Sequence, residues 1–325
     1  MTADRAGGGP PAPAEPGVVL YVGGSGRSGS TLMGRILGQL PGYVCVGEMV
    51  FLWTRALQED ELCGCGRPFS ACPFWTEVGE RAFGGWTSLD ARKVAALQRS
   101  VDRHRYLPLM LGPRATGYSR RLEDYSRLLA AVYAAIRAVS GSEVVVDTSK
   151  HPSYAYVLRR APAVRLRLLH LVRDSRGVCH SWTREVSRPE VRGGQKLMPT
   201  YSSSRSAAEW AAHNFLFEVL SLLNVPHRTV RYEDFVADPG GTVHEVDRAL
   251  VGTGGRLAEG CVTREGVDLP ADHSLAGNPM RFREGRITLR VDDEWRTTMP
   301  TRTRRLVTAL TLLGLRRYHY VPPAS

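Results

Sequence analysis

Lysine is nearly missing from this 325-residue chain: of 43 basic residues only Lys93, Lys150 and Lys196 are lysine. The remainder is arginine in a background rich in alanine and glycine, so the net charge of +11 reflects coding-sequence composition as much as a polyanionic partner. No run of basic residues interleaved with aromatics occurs and no nucleic-acid fold motif is present, so no nucleic-acid partner is expected. Long apolar runs are lacking too. The most apolar late segment, Leu306 to Leu315, is broken by threonines and far too short to span a bilayer. Residues 1–16, MTADRAGGGPPAPAEP, show neither the apolar core of a signal peptide nor any periodicity, and read as a disordered tail. A soluble, cytoplasmic protein without a membrane span follows as the expectation. Six cysteines do not make a secreted disulfide framework in a chain of this length, and no internal repeat is visible.

The shortage of lysine matters most at residue 30. Residues 18–48 read VVLYVGGSGRSGSTLMGRILGQLPGYVCVGE. A β-branched run, Val18 to Val22, feeds a Gly/Ser loop and then a helical pattern from Thr31 to Leu40. A strand, glycine-rich turn and helix in that order make an anion cradle, because loop N–H groups and the helix N-terminus converge on a phosphate. Gly24 and Gly29 fit the outer glycines of the nucleotide-triphosphatase loop G-x-x-x-x-G-K-[ST], but Ser30 stands where that motif needs lysine. Arg27 is the loop's only cation.

A second segment of the same kind is LRLLHLVRDSRGVCHSW, Leu166 to Trp182. Leu166 to Val172 is a continuous apolar run, as a buried parallel strand requires, and Asp174 or Ser175 can cap the following helix. Arg173 falls at the strand's carboxyl end, where ligands of open α/β sheets bind, and Ser181 follows on the helix.

GRSGSTLMGRIL resembles the 5′-phosphosulfate loop of sulfotransferases that use 3′-phosphoadenosine 5′-phosphosulfate (PAPS), and is most similar to the branch holding tyrosylprotein sulfotransferases and many bacterial enzymes. The resemblance implies that Arg27, Ser28, Gly29, Ser30, Thr31 and Leu32 bind the donor's phosphosulfate end, and that Arg173 and Ser181 grip its 3′-phosphate. VRYEDFVADP, Val230 to Pro239, resembles a segment found across the superfamily, which implies that Tyr232 lies by the adenine. GNPMRF, Gly277 to Phe282, is similar to a bacterial loop that closes over the nucleotide, with Asn278 and Arg281 as contacts. The implied activity is transfer of a sulfuryl group from PAPS to a hydroxyl of an acceptor: a small molecule, glycan or natural product. No motif in Phe51 to Ser142 carries over.

The same resemblance bears on catalysis. EVVVDTSK ends in Lys150, before His151-Pro152, and tyrosylprotein sulfotransferases carry a lysine before a proline at this place. Arg27 and Lys150 would then steady the charge that grows on the leaving group. Glu48, in CVGEM, resembles the base of those enzymes, whereas His151 is similar to the histidine of cytosolic sulfotransferases, with altered spacing. Glu48 is the preferred base and His151 the competitor; Asp147 and Asp174 orient or cap.

Three cysteines cluster in ELCGCGRPFSACPFW as Cys63, Cys65 and Cys72. C-x-C-x₆-C supplies three metal ligands and needs Cys45 or a distant histidine for the fourth, so packed thiols or one local disulfide are preferred and no metal is expected.

Alternation of strands and helices predicts an α/β protein: a P-loop-like three-layer fold, with a central parallel sheet flanked by helices and a helical insertion after the second strand. The motifs must meet at one ligand, so residues 17–325 form one domain, with 51–142 as an acceptor-side insertion. Helical spacing marks Met49–Gln58, Leu89–Arg105, Ser119–Val139, 176–187, Ser204–Leu223 and Thr301–Leu313; strands are placed at 43–46, 143–147, 166–172 and 227–231. Two other classes share features. A P-loop kinase acting on a small molecule would share the first loop but needs the absent lysine. A non-catalytic nucleotide- or RNA-binding protein would fit the charge but not the paired motifs. Acceptor identity and oligomeric state are not legible.

Overall fold

The computed structural model describes residues 16–111, 117–188, 196–263 and 265–322. The tail expected over 1–16 therefore lies, Pro16 apart, outside the described residues. A five-stranded parallel sheet forms the centre, built from β1 (Gly17–Gly23), β2 (Tyr43–Gly47), β3 (Val144–Lys150), β4 (Val164–Val172) and a strand at His227–Arg231, β7 below. Two two-residue strands, β5 (Ser187–Arg188) and β6 (Lys196–Leu197), pair with each other between β4 and β7 in the chain. The central order is β2-β3-β1-β4-β7.

Period-two alternation explains the layers. Along β1, Val19 and Tyr21 join one core half with Tyr125, Leu129, Tyr154 and Phe217. Val18, Leu20 and Val22 join the other, with Met33, Ile36, Phe235 and Val246. The first half is covered by α5 (Gly117–Ser140), α6 (Pro152–Leu158) and α8 (Ser203–Ser221), the second by α1 (Ser30–Leu37), α9 (Tyr232–Ala237) and α10 (Pro239–Leu250). Further helices are α2 (Pro73–Phe83), α3 (Ala91–Val101), α4 (Leu107–Leu111), α7 (Ser175–Thr183), α11 (Trp295–Thr298) and α12 (Thr301–Arg317). Among the described residues no helix is long and apolar enough to cross a membrane.

The chain leaves β1 towards β2 and leaves β4 towards β7, on opposite sides. Neighbouring strands whose exits diverge open a crevice at their carboxyl ends, and both motif loops sit there.

Strand 227–231 and the long helices lie where the pattern predicts. Other segments differ. The helix expected over Met49–Gln58 is a 3₁₀ turn, Met49–Phe51, followed by a wide turn, Leu52–Ala56, in which Leu57 N–H bonds Leu52 O at 3.0 Å. The wider spacing lets Leu52, Trp53 and Ala56 all enter the core. The helix expected over Leu89–Arg105 starts where Asp90 caps the N–H groups of Arg92 and Lys93, and ends at Asp102. The helix expected over 176–187 stops at Thr183, while α12 runs on to Arg317. Helix α2, the short helices around residue 240 and a small antiparallel sheet, β8 (Val262–Thr263), β9 (Gly266–Leu269) and β10 (Gly285–Ile287), carry too little periodicity to be read beforehand.

Candidate active site

The loop after β1 is shaped by close approach. At Gly24 (φ 141°) a Cβ would stand 2.2 Å from Leu171 O, and at Gly29 (φ 86°) it would stand 2.6 Å from the Tyr232 ring. Only glycine lets the loop lie on β4 and on Tyr232 at once. Ser28 donates its hydroxyl to Ser25 O at 2.6 Å, so that side chain closes the loop from inside. Arg27 adopts a left-handed conformation (φ 68°), which strains a non-glycine residue. Its guanidinium lies 4.8 Å from the centre of the Trp182 ring, and its Nε and Nη2 are buried with no hydrogen-bond partner among the described residues. Burial, then the charges of Arg184 and Arg173, push the Arg27 pKa down.

Arg173 joins the two motifs directly. Its Nη1 donates to Arg27 O at 3.0 Å, and its guanidinium stacks 4.7 Å from the centre of the Tyr232 ring. Nη2 donates to Asp292 O at 2.7 Å and pairs with the Asp292 carboxylate at 3.0 Å. Arg184 holds the same carboxylate at 2.7 Å. Burial raises the Asp292 pKa, but Arg173 and Arg184 outweigh it and hold the group below the usual carboxylate range. An anion thus already sits between two arginines, a contact no sequence motif signals.

The end of β3 supplies the third wall. Asp147 is fully buried and accepts from Ser149 N at 2.8 Å, Ser149 Oγ at 2.5 Å and the Tyr133 hydroxyl; burial pushes its pKa up to about 6. Ser149 Oγ accepts from Val50 N at 3.0 Å, which ties this strand end to the turn carrying Glu48. Asp147 therefore orients, and Asp174 caps α7 through Arg176 N, as expected. Lys150 is left-handed (φ 64°), and its Nζ donates to Glu48 Oε1 and to Thr148 O, the latter at 3.1 Å. Glu48 is fixed from the other side, its N–H bonding Leu275 O at 2.8 Å. The His151 and Phe51 rings pack at right angles, and burial lowers the His151 pKa.

These groups share one cavity of about 730 Å³. Arg27, Gly29, Ser30, Thr31, Leu32, Glu48, Lys150, His151, Arg173, Ser181 and Tyr232 all line it. Asn278 lines it too, while its side chain caps the turn at Met280 N. Arg281 does not: it is wholly buried beneath that loop, donating to Ser274 O at 3.1 Å. The expected nucleotide contact at 281 is thus a structural arginine. The remaining wall includes Phe51, Arg55 and His104 of the insertion, Arg188, Met198, Pro199 and Tyr201 ahead of α8, and Glu209 and His213 of α8, residues without a sequence signature.

Residues 20–250 match the model of the sulfotransferase family. The chain belongs to that family. The sulfotransferase is similar in fold to a sulfotransferase domain from the olefin synthase of Synechococcus PCC 7002, at 19% identity and a TM-score of 0.51, with 96% of this chain and 98% of that one covered. A sulfotransferase domain from the curacin biosynthetic pathway gives 17% identity and a TM-score of 0.48 over 91% of this chain and 98% of its own. Sulfotransferase STF9 from Mycobacterium avium gives 13% and 0.41 over 94% and 77%. No curated protein sequence matches the chain. Family membership disfavours the kinase alternative, and the parallel sheet with helices on both faces agrees with the expected α/β class.

Proposed function

We propose that this sulfotransferase takes its sulfuryl group from PAPS and passes it to a hydroxyl of an acceptor bound between the helical insertion and α8. The observation that carries the donor reading is Arg27, which lines the cavity beside a phosphate-type loop as a fixed cation whose Nε and Nη2 are buried and unpaired among the described residues. Buried charged donors of that kind fit an anionic group. PAPS, when bound, supplies a sulfuryl group whose departure leaves a negatively charged bisphosphate.

In this reading Arg27 and the loop from Ser28 to Leu32 hold the phosphosulfate end. Arg173 and Ser181 hold the 3′-phosphate, with Arg173 exchanging its Asp292 partner for the ligand. The Tyr232 ring, already fixed under Arg173, packs against the base. Lys150 Nζ steadies negative charge near the transferring group, and Glu48 accepts the acceptor's proton. The Glu48–Lys150 pair holds both side chains in place before the acceptor arrives. The acceptor side is a wall with Phe51, His104, Glu209 and His213, suited to a hydroxylated molecule with an apolar face.

Titration calorimetry in magnesium-free buffer tests the donor assignment. Adenosine 3′,5′-bisphosphate should bind far more tightly than ATP. Strong magnesium-dependent ATP binding, with no measurable affinity for the bisphosphate, would refute it.

A further inference from the structure

The cysteine spacing alone lacks a fourth metal ligand, and the fold supplies one. Cys63 and Cys65 lie in the turn after the first segment of the insertion, Cys72 is the N-cap of α2, and His273 comes from the loop after β9. Their ligand atoms all lie within 4.8 Å of one another. Cys45, the other sequence candidate, lies in the opposite core half.

Four of the six separations match one coordination geometry, and the set as a whole lies within 4.8 Å. Zinc binds sulfur at about 2.3 Å and imidazole nitrogen at about 2.0–2.1 Å, so a tetrahedron has S···S edges near about 3.8 Å and S···N edges near about 3.5 Å. Cys65 Sγ lies 3.8 Å from Cys72 Sγ, and Cys72 Sγ lies 3.7 Å from Cys63 Sγ. His273 Nδ1 is 3.8 Å from Cys63 Sγ and 3.3 Å from Cys72 Sγ.

The surroundings hold the ligands in that arrangement. The Cys65 and Trp75 backbone N–H groups donate to the sulfurs of Cys63 and Cys72. Such contacts outside the ligand set orient the sulfurs. The Phe74 ring stacks on the His273 imidazole at 4.8 Å and 4°, and Trp75 Nε1 bonds His273 O at 2.9 Å, so the imidazole is fixed with Nδ1 towards the sulfurs. Cys63 and Cys72 are fully buried. Thiols packed for bulk alone need neither a histidine nor N–H groups aimed at sulfur.

We infer that Cys63, Cys65, Cys72 and His273 form a structural zinc site. Four protein ligands leave no open position, so the ion holds the fold and takes no part in turnover. Borderline-soft sulfur and nitrogen ligands in a tetrahedron select zinc over magnesium or calcium. The ion cross-links segments 201 residues apart at Cys72 and His273, beside backbone bonds from Gly64 N–H to Ser274 O at 2.9 Å and from Leu275 N–H to Val46 O at 2.8 Å. It thereby anchors the insertion to the strand-like segment that fixes Glu48.

The test is the metal content of the full-length protein purified under reducing conditions from zinc-supplemented medium. One zinc ion per chain is expected, and cobalt exchanged for it should give the intense visible bands of a tetrahedral thiolate site. His273→Cys should keep the ion, since four thiolates also bind zinc. His273→Ala should weaken zinc by more than about tenfold in competition with a chromogenic chelator, because even partners outside the ligand set are worth about 10–100-fold. Only trace zinc in the unaltered protein, iron in its place, or a disulfide among the three cysteines would overturn the assignment. So would a full zinc complement in the Cys63→Ser, Cys72→Ser double variant. None of these measurements involves donor or acceptor binding, so the site and the proposed function fail separately.

Discussion

Replacing Arg27 by methionine should move stability and binding in opposite directions. The side chain keeps its length and the left-handed backbone is unchanged, so the loop is preserved. What disappears is a cation with two buried N–H groups unpaired among the described residues, pressed by Arg184 and Arg173. Unpaired buried donors cost about 1–3 kcal/mol each, and more when charged. Against that stands the lost cation–π contact with Trp182, worth about 0.5–2 kcal/mol. Two such donors outweigh that contact, and the ranges together predict a free protein stabilised by up to about 5 kcal/mol, which raises its melting temperature by about 2–4 °C per kcal/mol or slightly less in a chain of this size. The charge-assisted contacts that Arg27 would make to an anion are lost as well. Bisphosphate affinity should therefore fall by about 2–4 kcal/mol, roughly 30- to 1,000-fold. Thermal melts with and without adenosine 3′,5′-bisphosphate measure both effects on one sample. A variant that melts lower while binding within about twofold of the original would refute the reasoning.

Four further outcomes follow from the same geometry. Arg173→Ala and Ser181→Ala should weaken nucleotides with a 3′-phosphate, by about 1.5–3 kcal/mol for the arginine and less for the serine, and hardly affect adenosine 5′-phosphosulfate; equal losses for both ligands would make the residues structural. Asp292→Asn should tighten bisphosphate binding by about 0.5–1 kcal/mol in calorimetry, since the ligand no longer displaces a carboxylate from Arg173. Glu48→Gln should keep donor affinity while turnover falls by about 10²–10⁴, partly rescued by an acceptor with a more acidic hydroxyl; a near-normal Glu48→Gln beside an inactive His151→Ala would transfer the base to His151. Buried His170, bonded to Asn214 at 2.8 Å, has its pKa lowered by burial from 6.5 to about 4, so it gains a proton on unfolding throughout that window. Stability is full above the unfolded value and falls with acidification by about 1.4 kcal/mol per pH unit, a slope that denaturant titrations should find shallower by one proton in His170→Gln.

The parts of the site that the sequence reveals are those written in local chemistry. The loop around Arg27 and the strand ends at Lys150 and Arg173 combine an apolar β run with a charged or glycine-rich exit, and both halves of that signal are contiguous in the chain. Asp292, His104, His213 and His273 reach their places only through long-range packing. Nothing within a few residues of Asp292 shows that it will face Arg173, more than a hundred positions away. The turns from Met49 to Ala56 escape the sequence pattern for a related reason: helical propensity is local, whereas the wider turn accompanies the burial of Trp53 against Tyr125. Arg281 shows the converse, since a motif marked the segment but not which way its side chain would turn.

Arg27 and Lys150, the two cations assigned to the reacting group, both stand on left-handed backbone where glycine would be at ease. That conformation costs an ordinary residue about 1–2 kcal/mol, while glycine in the same place carries an entropic cost of about 0.5–1 kcal/mol. Random mutagenesis followed by selection for heat resistance alone should therefore enrich glycine at position 27, whereas glycine at position 150 would leave the buried Glu48 carboxylate without its partner. The survivors would be sturdier proteins with little power to transfer anything, so a directed-evolution campaign on this scaffold must score turnover in every round.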